Sequence, residues 1–204
     1  MSYQCAHAEL DPSEPTYLTN RAAAYMSLRR FKPALTDCQL AADLQSASPS
    51  PKTLVRLARC QLSTGSTAPA LSTLRSALAI EPKNDAALQL QKKVEELEKH
   101  LRNHQKARQE KNWAMARLAL DKCVQSIEAE GGDIPIQWRC WKVEVELSRG
   151  NWDAAGIAAK YVSSLPNLLP AVYQNLTCVL REATHCGWNP THQMCSRCGA
   201  SSCS

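Results

Sequence analysis

Apolar and small residues recur along the chain three and four positions apart. From Phe31 the run is Phe31, Ala34, Cys38, Ala41, and it returns at Thr67, Ala70, Leu74, Ala77. Two more copies follow, at Trp113, Ala116, Leu120, Cys123 and at Trp152, Ala155, Ala159, Val162. Side chains at these separations share one face of an α-helix, so each copy predicts a helix with a narrow packing seam. The second member is alanine every time, which lets a partner helix approach closely. Pro33 and Pro69 stand one residue before that alanine, and proline is tolerated in the first turn, so both mark helix starts. Gly65 and Gly150 precede two of these helices at a turn. A first helix is readable ahead of two copies: Leu18, Ala22 and Tyr25 answer Leu54, Ala58 and Gln61, and Pro82 ends the second copy. The pattern predicts helical hairpins, one after another.

Between the second and third copies, Asp85 to about Gln109 contains neither proline nor glycine. Leu88, Val94, Leu97 and Leu101 fall at helical spacing, which predicts a long solvated helix joining two repeat blocks. Lys92, Lys93, Lys99 and Arg102 alternate with Glu95, Glu96 and Glu98, a mixture that argues against a track for phosphates. Trp113, Trp138, Trp141 and Trp152 read as packing residues, and Asn112 and Asn151 as caps or turn residues before a tryptophan. Gly131, Gly132, Asp133 and Pro135 read as a separator between repeats. After Leu165 the periodicity fails. The organisation expected is a repeat block over 1–84, a long charged helix leading into a second block over 85–165, and an irregular cysteine-rich tail over 166–204. Cys195 and Cys198 form one CxxC in that tail, with Cys186, His192 and Cys203 as further candidates for zinc. A lone CxxC is a weak metal signal, and the plain reading of the tail is an irregular end without a resident metal.

Composition agrees with helices. Of 204 residues 44% are hydrophobic but only 5% aromatic, and glycine totals 7, a balance unlike that of a β-sandwich. The net charge of +5 is mild and mixed in sign along the chain, too weak to imply a nucleic-acid partner. No apolar run approaches the roughly 20 residues that span a bilayer. The opening MSYQCAHAEL lacks the apolar block of a signal peptide, so a cytoplasmic protein is expected. Cys5, Cys38, Cys60, Cys123 and Cys140 lie singly in helical patterns, where a free cysteine behaves as a small hydrophobe in a reducing compartment. Clustered acids and bases, a phosphate loop and an activated nucleophile are all missing, so neither catalysis nor a cofactor is expected.

The repeated hairpin resembles the tetratricopeptide repeat (TPR), whose unit recurs every ~34 residues. Ala34, Ala70, Ala116 and Ala155 lie 36, 46 and 39 residues apart, and Gln61 and Thr67 stand where that family usually has aromatics. The chain reads as beginning inside a repeat whose first helix is missing. The resemblance implies an all-α fold: a right-handed superhelix, or α-α solenoid, of about four recognisable repeats with a long connecting helix. First helices line the concave face of such a stack. Asn20 lies on one, Lys52 and Arg56 one turn apart on the next, with Arg59 and the small Ala23 flanking them. An amide, an ammonium and a guanidinium together suit a carboxylate. The set resembles the carboxylate clamp of TPR co-chaperones, which grips the EEVD tails of the seventy- and ninety-kilodalton heat-shock proteins. That clamp uses a Lys and an Asn from one repeat, an Asn from the next, and a Lys and an Arg four apart from a third. Asn20, Lys52 and Arg56 match the last three, and the first pair has no counterpart. The order of blocks looks like the N-terminal half of the DnaJ-and-TPR co-chaperones, although no His-Pro-Asp tripeptide of a J domain occurs. The resemblance therefore implies an adaptor for heat-shock protein 70 and 90 C-terminal peptides. The alternative is a structural TPR scaffold without affinity for those tails.

Overall fold

The structure, a computed structural model, describes residues 14–163. The tail expected over 166–204, with Cys186, Cys195, Cys198 and Cys203, lies outside the described residues. Eight α-helices and no strand occur among those described: α1 (Pro15–Ser27), α2 (Phe31–Leu44), α3 (Pro51–Ser63), α4 (Thr67–Ile80), α5 (Asp85–Gln109), α6 (Trp113–Ala129), α7 (Ile136–Ser148) and α8 (Trp152–Ser163). The chain divides after Trp138, so α1 to α6 with the first residues of α7 form one unit.

The four seams begin where four helices begin, at Phe31, Thr67, Trp113 and Trp152. Each of these helices comes after the same tight turn. The N–H groups of Arg30, Ser66, Asn112 and Asn151 donate to the carbonyls five residues back, on Tyr25, Gln61, Ala107 and Glu146, at 2.8–2.9 Å. The residue before each donor is left-handed: Arg29 (φ 56), Gly65 (φ 74), Lys111 (φ 55) and Gly150 (φ 72). This is the six-to-one closure of a helix C-terminus. Glycine adopts it without strain, whereas Arg29 and Lys111 each carry roughly 1 kcal/mol. Asn112 and Asn151 cap α6 and α8, their side-chain oxygens accepting from the N–H of Met115 (3.2 Å) and Ala154 (3.4 Å). After their first residue, the first three seams are buried throughout: Ala34, Cys38, Ala41, Ala70, Leu74, Ala77, Ala116, Leu120 and Cys123; in the fourth, Ala155 is buried and Trp152 is exposed.

In the first unit α1 packs on α2, α3 on α4 and α5 on α6; α2 also packs on α3 and α4 on α5, while α1 touches α3 and α3 touches α5. Consecutive first helices are thus neighbours along one side of the stack. Gln61, in place of an aromatic, is buried and satisfied: its Oε1 accepts from the Thr73 hydroxyl of α4 at 3.0 Å. The long helix α5 both connects and packs. It buries Ala87, Leu90, Val94, Leu97, His104 and Ala107, so the apolar stripe runs through Ala87 and Leu90 and leaves Leu88 exposed, contrary to the sequence expectation. With 25 residues against 13 in α1 and α3, it accounts for the 46-residue interval between Ala70 and Ala116.

The Gly131–Pro135 segment does more than separate repeats. Asp133 N–H donates to the Ser63 carbonyl at 2.9 Å, and a Cβ on Gly132 would sit 2.5 Å from that oxygen. Only glycine lets this loop lie against the end of α3. The tryptophans are less uniform than their sequence reading: Trp138 is buried, Trp113 and Trp141 are partly covered, and Trp152 is 40% exposed. In the second unit Val143, Val145 and Ala155 supply buried positions.

Cys123 gives the core a pH signature. Burial pushes its thiol from 9.0 up to about 12. The folded state keeps the proton that the unfolded chain releases, so this contribution is complete below about pH 9 and lost as pH rises towards about 12. In urea titrations the wild type is expected to lose stability with rising alkaline pH more steeply than Cys123→Ala. Parallel curves for the two proteins would contradict a buried neutral thiol.

Candidate peptide-binding site

Asn20 sits in the middle of α1, half-buried, with Ala23 one turn on and also half-buried. Lys52 lies in the first turn of α3 and is exposed, Arg56 is four residues further along and half-buried, and Arg59 is exposed. Pro51 opens α3 at its first position, so Lys52 is held on regular helix from the start. The contact between α1 and α3 is made in part by Arg56, whose Nη1 donates to the Thr19 carbonyl. Thr19 precedes Asn20, so the guanidinium of one repeat reaches the backbone beside the amide of the other. A guanidinium carries five N–H donors, and this bond uses one of them. Lys52, by contrast, has no hydrogen-bond or ionic partner among the described residues.

Two features beneath this surface were not legible in the sequence. Arg21, beside Asn20, forms a two-pronged ion pair with Asp37 of α2, Nε to Oδ2 and Nη2 to Oδ1, both 2.8 Å. It locks α1 on α2 and so sets where Asn20 stands. Below Arg56 lies a sulfur cluster: Cys38 and Cys60 are buried with their Sγ atoms 3.7 Å apart, and Cys60 Sγ donates to Met26 Sδ at 3.3 Å. The hydrogen bond from Cys38 holds the Cys60 thiol below its ordinary value against the opposing effect of burial, with the positive charges of Arg56 and Arg59 helping. Cys38, tied up in that bond and buried, is pushed up. Spacing alone shows both cysteines as small core residues and cannot show that α2 and α3 bring them together.

Donors and positive charge thus lie on two first helices in contact: the Asn20 amide on α1, and Lys52, the remaining N–H groups of Arg56, and Arg59 on α3. The arrangement is suited to an anionic, hydrogen-bond-accepting ligand. No group of three histidine, cysteine or acidic side chains is placed to hold a metal among the described residues. No helix there is long and apolar enough to cross a membrane.

No protein-family profile matches the chain. Among solved structures it is similar to the crystal structure of the P58(IPK) TPR domain, with a TM-score of 0.52 at 11% identity over 85% of this chain. The match spans 57% of that structure's length. At so low an identity the likeness speaks for architecture, and it agrees with the repeated seams and turns: the fold is an all-α TPR solenoid.

Proposed function

We propose that the chain is a protein-interaction adaptor of the DnaJ-and-TPR co-chaperone type, without catalytic activity, acting in the cytoplasm. Its ligands are the acidic EEVD C-terminal peptides of heat-shock proteins 70 and 90. Asn20, Lys52 and Arg56 take the carboxylates, with Arg59 adding charge and Ala23 leaving room. The observation that supports this reading is the reach of Arg56 to the backbone beside Asn20, which links the two neighbouring helices that carry the three residues. Lys52, exposed and unpaired among the described residues, supplies the charge that a terminal carboxylate needs.

Each charge-assisted bond is worth roughly 1.5–3 kcal/mol, or about ten- to a hundredfold in affinity. Titration of a fluorescein-labelled MEEVD peptide is expected to give a Kd weaker than about 1 µM, because part of the family's clamp has no counterpart. Lys52→Ala should weaken binding by about tenfold or more, and added salt should weaken it further. Unaltered binding in both Lys52→Ala and Arg56→Ala would remove the clamp. A second reading is favoured by the Arg56–Thr19 bond itself: Arg56 as a brace between repeats in a scaffold that ignores chaperone tails. On that reading Arg56→Ala lowers stability and the labelled peptide does not bind.

A further inference from the structure

The third hairpin is longer than the one before it. Helix α4 has 14 residues and α5 has 25, and only Glu81 to Asn84 separate them. In this antiparallel pair the first residue of α4, Thr67, therefore stands level with about residue 98 of α5, and at 1.5 Å per residue the last turns of α5 project about 16 Å beyond it. The first turns of α6 accompany them. This projecting end carries a cleft of about 520 Å³ whose lining includes Met115 and Leu118, three lysines, Lys99, Lys106 and Lys122, and one acid, Glu110.

Its walls have two characters. Met115 is 54% exposed and Leu118 52%, large apolar side chains one turn apart on α6 that the described residues leave half uncovered. Around them stand three lysines. Lys106 has only a loose contact with Glu110, at 3.9 Å between well-exposed groups. Lys99 and Lys122 have no acidic partner among the described residues. Met115, Leu118 and Lys122 keep helical spacing on α6, as Lys99, Asn103 and Lys106 do on α5, so the cleft is a groove running along both helices.

We propose that this groove docks an acidic amphipathic helix of a partner protein, its apolar stripe on Met115 and Leu118 and its carboxylates on Lys99, Lys106 and Lys122. An apolar face laid in a groove with charges matched at the rim is an established mode of helix recognition. Charge selects this occupant. A second copy of the same face would set lysines against lysines. Nucleic acid would leave the exposed Met115 and Leu118 uncovered. The groove lies on α5 and α6, apart from the residues proposed to hold a chaperone tail, and does not depend on them.

The test uses the full chain and two fluorescein-labelled peptides of equal length, with leucines at helical spacing and either glutamates or lysines elsewhere. The glutamate peptide is expected to bind, measured by anisotropy, and the lysine peptide to fail. Leu118→Glu should weaken binding about tenfold or more, and so should Lys99→Glu with Lys122→Glu, whereas Lys52→Ala should leave it unchanged. These positions are exposed, and circular dichroism checks that the variants fold; should Leu118→Glu not fold, the lysine pair decides. Equal binding of both peptides, or indifference to the lysine pair, overturns the proposal. So does concentration-dependent self-association abolished by the same variants, which would assign the groove to a second copy.

Discussion

Replacing Arg21 with alanine is expected to destabilise the protein by about 3 kcal/mol in urea unfolding. The side chain of Asp37 is 8% exposed and that of Arg21 20%, so removal of the guanidinium leaves a carboxylate almost out of water with its two bonds gone. Loss of one partner of a buried pair costs roughly 3–5 kcal/mol, and the partial exposure of Arg21 puts this case at the lower end. Against a total of about 5–15 kcal/mol for a domain, the loss is large. The pair is not therefore worth that amount. Arg21→Met with Asp37→Leu, which removes both charges together, should fall near the wild type, because desolvation and attraction largely cancel. Arg21→Lys should lie between, since an ammonium cannot reproduce the two-pronged geometry. A loss below about 0.5 kcal/mol in Arg21→Ala would mean that Asp37 reaches water when the pair is broken.

Leu97→Ala is expected to cost about 3–4 kcal/mol. Leu97 is fully buried in α5, a helix that packs on both α4 and α6. Truncation removes the transfer free energy of its side chain and leaves a cavity that helices held on two sides close only in part. Lys92→Ala, exposed on the same helix, should stay within about 0.5 kcal/mol. The contrast measures how much α5 belongs to the core. A solvated connector would respond to both substitutions alike, and equal small losses would contradict the packing of α5 between α4 and α6.

The hairpins are readable from the sequence because their signal is local and repeated. A seam such as Phe31, Ala34, Cys38, Ala41 needs only the 3.6-residue turn to make sense, and each copy corroborates the others. The start of α6 at Trp113 can be read from its match with Phe31 and Thr67. The stripe on α5 is equally legible, and the expectation misplaces its start: Leu90, Val94, Leu97 and Leu101 are spaced four, three and four, whereas Leu88 lies six residues before Val94 and falls off that face, where the structure leaves it exposed. Gln61 looks like a departure from the repeat, and its hydrogen bond to Thr73 shows how a polar residue is accommodated there.

By its own periodicity the sequence determined an all-α chain of stacked hairpins, where the second helices begin, and which alanines face a neighbour. These are consequences of backbone geometry within a dozen residues. Tertiary structure alone decided what those helices bring together: Arg21 with Asp37, Cys38 with Cys60, Arg56 with the backbone beside Asn20, and Gly132 with Ser63. Such pairs obey no period. They form because one helix packs at a particular depth and rotation on the next, and that is set by side-chain volumes summed over the whole interface.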